Sequence, residues 1–217
     1  MKTTIPYIPN LEQMTFEQLC DAMETRGRRE YANHAPWAAF PYKPITIVDL
    51  AASDDCLFAR FFVRGLGLRA EFEKTNQPVW QDSCVEVFIG DQNGEGYRNF
   101  EVNCIGTLLS AHQTGRGEHV EPISEADAEK IIRHTTVKGR HAKELDGVHE
   151  WMVAIGIPFK LLGYEVRPET MRANFYKCAD ASHYPHYLCW SNIDTPEPDF
   201  HRPEFFGTLI LESPKMK

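Results

Sequence analysis

Residues 78–106, PVWQDSCVEVFIGDQNGEGYRNFEVNCIG, carry the pattern of a β-hairpin. Val85, Val87 and Ile89 alternate with neighbours of different character, and the same alternation recurs over residues 100–104. A period of two is the signature of half-buried strands, in which every second side chain faces a core. Because a Gly- and Asp-rich turn separates the two runs, the stretch predicts two antiparallel strands joined as a hairpin.

Short strand-like runs continue along most of the chain from Ile45. They are ITIVDLA (45–51), CLFARFFVRG (56–65), GTLLSAH (106–112), HEWMVAIGIP (149–158), MRANFYKCA (171–179) and EFFGTLIL (204–211). Many short strands, few helices, 14 Gly and 14 Pro are typical of an antiparallel sandwich. We expect a single all-β domain over residues 1–217, an antiparallel β-sandwich of immunoglobulin or jelly-roll type.

Two segments depart from the strand pattern. Near the N-terminus, Thr15 and Gln18 have the spacing of a capping box and Gly27 is placed to end the helix, which predicts a short N-terminal helix. Residues 112–135 are polar and Gly-rich at first, so we expect a loop insertion there, with a short helix over residues 125–133.

Charge and hydropathy exclude two classes of partner. The formal net charge is -8, from 31 acidic and 23 basic residues, and phosphate-backbone binding needs clustered positive charge. We therefore expect no nucleic-acid partner. No run approaches the roughly 18 apolar residues of a membrane span. The N-terminal residues also lack the pattern of a signal peptide, which predicts a cytoplasmic protein by default unless a leader was removed.

The six cysteines are too sparse for a disulfide scaffold, and no CxxC pair indicates zinc. We expect all six to be free thiols. Trp37 and Trp151 are predicted to be packing residues, Trp151 because it shares the apolar face of its strand.

Polar side chains gather on one face of the hairpin. Glu86, Glu101 and Asn103 share that face, and Trp80 and Asp82 precede it in the same phase if the chain stays extended. A pyranose has a face of C–H bonds and a rim of hydroxyls, so an aromatic platform bordered by carboxylates and an amide suits it. The competing interpretation makes Trp80 a core or rim residue and Glu86 a solvated strand residue.

Two further residues are candidates for the same site. Trp190 precedes a Pro-rich acidic loop, where binding residues of a rigid sandwich tend to lie, although it could equally plug the sandwich end. Arg98 begins the second hairpin strand and could donate to a sugar oxygen. It could also pair with Asp91 or Glu95 at the surface.

The hairpin turn raises the question of a metal. Asp91, Asn93 and Glu95 occupy alternate positions between glycines, a spacing that can place oxygen ligands around calcium. The acidic residue that completes a calcium loop is missing, so an ordinary hairpin turn is the favoured interpretation and calcium a secondary one. We expect no required cofactor.

Four sequence blocks together resemble the family 9 carbohydrate-binding modules: residues 78–89, residues 99–106, residues 172–176, and residues 190–191 with 200–207. The resemblance is clearest over residues 45–212. It implies a β-sandwich that binds a mono- or oligosaccharide, with a ring clamped between two tryptophans and polar side chains on its hydroxyls. It also implies a non-catalytic domain, with a glycoside hydrolase as a possible partner.

Two other functions remain open at this stage. Glu86 and Glu101 could serve as the carboxyl pair of a glycoside hydrolase, which needs two carboxyls roughly 5 to 9.5 Å apart. Alternatively, the sandwich face could dock a protein, although its Glu, Glu and Asn side chains are not the apolar surface that such docking favours.

Overall fold

The computed structural model describes residues 1–214, and it is a sandwich of two β-sheets. The strands, in chain order, are β1 (Lys2–Ile5), β2 (Arg28–Tyr31), β3 (Ile45–Ala52), β4 (Cys56–Ala70), β5 (Cys84–Gly90), β6 (Tyr97–Asn103), β7 (Leu108–Gln113), β8 (Glu121–Pro122), β9 (Ile132–Thr135), β10 (His141–Pro158), β11 (Thr170–Cys178), β12 (Tyr187–Cys189) and β13 (Gly207–Leu211). The helices are α1 (Phe16–Arg26) and α2 (Glu125–Ala128).

The larger sheet has the order β1-β13-β11-β5-β6-β7-β8, with β12 paired to β11, and the smaller has the order β2-β3-β4-β10-β9. Neighbouring strands are antiparallel, except that β1 runs parallel to β13. The expected antiparallel sandwich is therefore confirmed, apart from this one edge pair. The predicted loop insertion lies between the end of β7 and β10.

The main core fills the space between the two sheets. Val85 and Val87 of β5 face inward from one side, and Phe61 and Val63 of β4 face inward from the other. Trp151 joins this core at 3% exposure, as its strand phase predicts. Removing such side chains from water supplies most of the driving force of folding.

The hairpin is also buried on its outer face, which the alternation alone did not predict. Phe88, Tyr97 and Tyr176 form a second apolar cluster there with Phe200. Trp37, also expected to be a packing residue, belongs to the same cluster. Every residue of β5 is buried as a result, so polar side chains on this face lie inside the protein.

The helix predictions have mixed outcomes. The Thr15–Gln18 capping box is present and α1 ends before Gly27, as expected. The second helix begins after Ser124 but ends at Ala128, because the following residues form β9 and pair with β10. A free sheet edge offers backbone partners that local helix propensity cannot outweigh.

Two expectations from composition can be compared with the structure. All six cysteines are free in the described residues, as predicted. No helix within residues 1–214 has the length and apolar character needed to cross a membrane.

Candidate functional site

A cavity of about 610 Å³ lies over the outer face of the larger sheet. Its floor consists of side chains that project outward from β5, β6, β7 and β11, and its walls come from loops. The lining residues are Phe40, Trp80, Glu86, Asn99, Glu101, Leu109, Ala111, Gln113, Arg116, Val120, Cys178, Asp180, Tyr187, Glu197, Pro198, Asp199, Phe200 and His201.

Two buried carboxyls form the centre of the floor. Glu86 and Glu101 lie directly opposite each other on β5 and β6, at 2% and 4% exposure. Burial and the neighbouring Glu101 carboxyl raise the pKa of Glu86 well above its usual range. Burial raises the pKa of Glu101 to about 7, while a hydrogen bond from Asn99 opposes the rise. Like charges this close disfavour joint ionisation, so the ionisation of one carboxyl opposes the ionisation of the other.

A chain of amides supports Glu101 from the side. The Gln113 side chain donates to Asn99 Oδ1 at 3.4 Å, and Asn99 Nδ2 donates to Glu101 Oε1 at 2.7 Å. The other carboxyl oxygen of Glu101, Oε2, is buried without a hydrogen-bond partner among residues 1–214. A buried acceptor without a donor costs free energy, so this oxygen is suited to accept a hydrogen bond from a ligand.

Glu86 is held from β11. The Cys178 thiol donates to Glu86 Oε1 at 2.9 Å. Asp180, two residues further on, also lines the cavity, and burial raises its pKa to about 6. The floor therefore combines three carboxyls in a poorly solvated setting, which is typical of functional sites.

Trp80 projects into the cavity from a 3₁₀ turn, Val79–Gln81, and not from an extended segment as expected. Its backbone carbonyl accepts from the Asp180 N–H at 3.2 Å, and the Cys178 sulfur lies 3.5 Å from the same oxygen. These contacts fix the turn while the side chain stays 38% exposed. The backbone of Trp80 is therefore held in place, and its indole ring is partly open to solvent.

Asn103 does not line the cavity, and its hydrogen bonds give it a structural role. Its Nδ2 donates to Phe72 O at 2.8 Å and to Asp82 Oδ2 at 2.9 Å, and its Oδ1 accepts from Thr107 N at 2.9 Å. Asp82 in turn accepts from the Glu71 and Phe72 N–H groups. Asn103 therefore anchors the segment that carries Trp80, and its own polar groups are already in use.

Arg98 lies away from the cavity. It alternates with Asn99 and Glu101 along β6, so it leaves the opposite face of the strand. There it lines a separate groove of about 790 Å³ together with Asp91 and His112. The part of this groove that the structure describes contains no Phe, Tyr or Trp, so it lacks the broad aromatic surface that Trp80 offers.

Trp190 follows β12 directly, at the start of the loop as predicted, but it is a core residue, so its expected exposure is wrong. It is 0% exposed, packs against Phe175 at 5.5 Å between ring centroids, and donates from its indole N–H to Glu30 at 3.2 Å. Its backbone N–H also donates to Phe175 O at 2.9 Å, which continues the β11–β12 pairing. Gly207 makes room for the ring, since a Cβ there would lie 2.4 Å from it.

The walls come from residues that the sequence did not single out. Phe40 and Tyr187 meet edge to face at 4.8 Å, and Phe200 lies 6.0 Å from Tyr187. The loop over residues 197–201 adds two carboxyls and His201, whose pKa burial lowers to about 4. The Pro-rich, acidic composition of this loop was the signal in the sequence for its part in the site. The sequence around Phe40 contained no such signal.

Comparison with known proteins decides the family. The profile described as Carbohydrate-binding family 9 matches residues 22–211. The chain belongs to this family. Among curated protein sequences, none matches the chain.

Solved structures resemble the family 9 chain over nearly its whole length. A protein of Bacteroides uniformis, provisionally described as carbohydrate-binding, is 28% identical, with a TM-score of 0.91 over 97% of this chain and 99% of that one. A family 9 module of Caldicellulosiruptor kristjanssonii in complex with glucose is 12% identical, with a TM-score of 0.62 over 100% and 98% of the two chains. Its complex with cellotriose gives 11% identity and a TM-score of 0.63, covering 99% and 95%. At such low identity, the likeness to the second protein concerns the fold.

Membership of a carbohydrate-binding family makes this chain a non-catalytic module. The geometry of the floor agrees, because Glu86 and Glu101 are adjacent on neighbouring strands and approach a ligand from the same side. A glycosidase instead places its two carboxyls on either side of the scissile bond. The hydrolase alternative is therefore wrong.

The family 9 module has two places where a metal could be considered. The Cys84, Glu86 and Cys178 ligand atoms lie within 4.8 Å of one another in the described residues. However, burial raises the pKa of Cys84 to about 12, and a thiol must lose its proton to bind a metal. In the hairpin turn, Asp91 contacts His112 at 2.7 Å and Asn93 donates to Glu95 at 2.6 Å. Calcium binding there stays a prediction.

Proposed function

We propose that this family 9 module binds a sugar ring in the 610 Å³ cavity, with the ring stacked on Trp80 and its hydroxyls facing Glu86 and Glu101. The observation that carries the proposal is the pairing of two features in one cavity. An indole surface is 38% exposed on a fixed turn, and a buried oxygen, Glu101 Oε2, lacks a donor among residues 1–214.

The chemistry of a pyranose fits both features. Its C–H face packs on an aromatic ring, and its hydroxyls donate to carboxylate oxygens or accept from protonated carboxyls. Asn99 and Gln113 extend the hydrogen-bonding surface beside Glu101. The cavity volume falls within the range of about 300–1,000 Å³ that is usual for small-ligand sites.

The second aromatic surface is not a tryptophan in this proposal. Trp190 is fully buried, so the clamp of two tryptophans that the resemblance implied is replaced by Trp80 and the wall of Phe40, Tyr187 and Phe200. Tyr187 also brings a hydroxyl, which gives this wall a polar tip. A partner glycoside hydrolase stays a prediction from the resemblance.

Calorimetric titration tests the proposal with a panel of mono- and disaccharides. Stacking on an exposed aromatic contributes about 1–3 kcal/mol, by analogy with bases stacked on protein rings, so Trp80→Ala is expected to weaken binding about 5- to 150-fold. Tyr31→Ala is the matched control, because Tyr31 is 48% exposed and lies outside the cavity.

Melting curves of the same variants separate a binding role from a folding role. Truncation of a core tryptophan costs about 3–5 kcal/mol, whereas Trp80→Ala is expected to cost much less because its ring is partly solvated. A Trp80→Ala protein that binds sugar as the wild type does would refute the stacking. One that unfolds many degrees early would show that Trp80 belongs to the core.

A further inference from the structure

The lining of the cavity is strongly acidic. Five carboxyl side chains take part, and Arg116 is the one guanidinium among the lining residues that the structure describes. Arg116 is 65% exposed in its side chain and lies 3.6 Å from Asp199, so its charge is already directed at one of the five. The acidic residues are Glu86, Glu101, Asp180, Glu197 and Asp199.

Within residues 1–214, no lysine or arginine side chain belongs to the acidic floor on the cavity side. Lys177 is a buried ammonium of β11, but it leaves the strand on the other face, where it contacts His186 at 2.8 Å and the Trp151 ring at 5.7 Å. His201 is half-buried in the cavity wall, and its Nδ1 lies 2.8 Å from Tyr97 Oη. The carboxyls of the floor therefore lie side by side beneath the cavity, with no ion-pair partner within residues 1–214.

The aromatic walls also favour a cation. An ammonium group is attracted to the face of an indole or phenol ring and gains most where water is excluded. Trp80 and Tyr187 supply such rings in the cavity that Glu101 also lines, and Glu101 Oε2 lacks a donor among residues 1–214. Charge-assisted hydrogen bonds of an ammonium to a carboxylate are about twice as strong as neutral ones.

Resting on the sugar site proposed above, we infer that this cavity selects amino sugars with a free, protonated amine. The ammonium group donates to Glu101 Oε2 and places a positive charge beside the Glu86 and Glu101 carboxyls. A neutral sugar gains only hydroxyl hydrogen bonds in the same place. A uronic acid brings a carboxylate toward like charges, which is unfavourable.

Competition between matched sugars tests this inference. Glucose, its 2-amino, 3-amino and 6-amino derivatives, N-acetylglucosamine and glucuronate are titrated into the wild-type protein at pH 7.5 and low salt. At least one amino sugar is expected to bind about 10-fold or more tightly than glucose, equivalent to about 1.4 kcal/mol. Glucuronate and the uncharged N-acetylglucosamine are expected to bind no more tightly than glucose.

The outcomes distinguish this inference from the proposed function. If glucose binds and no amino derivative binds more tightly, the inference is overturned while the sugar site stands. If none of the panel and no other neutral sugar binds, the proposed function itself fails. Cyclohexylamine, which has a ring and an ammonium group but no hydroxyls, is titrated as well. If it binds as tightly as the amino sugar, the requirement for a sugar is overturned.

Two variants locate the charge effect. Glu101→Gln keeps the size of the side chain and removes its charge, so the ratio of glucose to amino-sugar dissociation constants is expected to fall from about 10 to near one. Glu150→Gln, an exposed carboxyl on the other sheet, is the matched control and is expected to leave the ratio at about 10. An unchanged ratio in a folded Glu101→Gln protein would overturn the assignment.

Discussion

Glu101 is a buried residue at 4% exposure. Replacing it by Gln should nevertheless stabilise the folded protein at alkaline pH. Its carboxyl lies opposite Glu86, with Asp180 also nearby. The amide of Gln can keep the hydrogen bond from Asn99, since its carbonyl oxygen takes the place of Oε1. The substitution therefore removes the charge and little else.

The magnitude follows from the pKa of the group it removes. Burial raises the pKa of Glu101 from 4.5 to about 7, so the folded state binds more protons than the unfolded state between these values. The free energy of unfolding of the wild type consequently falls as pH rises through this window. At 1.36 kcal/mol for each pKa unit, Glu101→Gln should gain on the order of 3 kcal/mol between pH 4 and pH 8.

Urea unfolding followed by tryptophan fluorescence at pH 4.5, 5.5, 6.5, 7.5 and 8.5 measures this gain. The difference between the variant and the wild type is the quantity to plot. His186 and His201, with pKa values that burial lowers to about 2 and about 4, make stability rise with pH and partly mask the profile of either protein alone. Both histidines are present in both proteins, so their contribution cancels in the difference.

Glu150→Gln again provides the control, because Glu150 is exposed and its ion pair with Arg64 at 3.3 Å contributes little. Its difference from the wild type should stay within about 0.5 kcal/mol at every pH. Parallel profiles for the wild type and Glu101→Gln would refute the reasoning, because they would mean that Glu101 titrates alike in the folded and unfolded states.

Two further predictions concern the core tryptophan and the cysteines. Trp190→Ala should lower the free energy of unfolding by about 3–5 kcal/mol, since the ring is 0% exposed, and a loss as small as that expected of Trp80→Ala in urea unfolding would contradict its place in the core. Dithiothreitol should leave the melting temperature unchanged because all six cysteines are free in the described residues, whereas a native disulfide would contribute about 2–4 kcal/mol. A drop of several degrees in the presence of reductant would show that a disulfide forms.

Most of the strand pattern was predictable because strand phase is a local property. Alternation in residues 84–90 and 97–103 fixes which side chains share a face, and it placed Glu86 and Glu101 together before their pairing was known. The same rule places Arg98 on the opposite face, and in the structure it does not line the cavity that Glu86 and Glu101 line. The capping box of α1 was equally local and equally predictable.

The sequence by itself determined the sandwich class, the hairpin and the face that carries Glu86 and Glu101, because each depends on neighbours a few residues apart. Only the tertiary structure decided which residues of that face are free to meet a ligand. The Asn103 side chain donates to Asp82 and to the Phe72 carbonyl. The Trp190 ring donates to Glu30 and packs against Gly207. These hydrogen-bond partners of Asn103 and Trp190 lie 21 to 160 residues away along the chain, so no local sequence pattern could reveal them. The burial of a side chain depends on residues that are distant in sequence and close in the fold. For that reason Trp80 is partly exposed whereas Trp190 lies in the core.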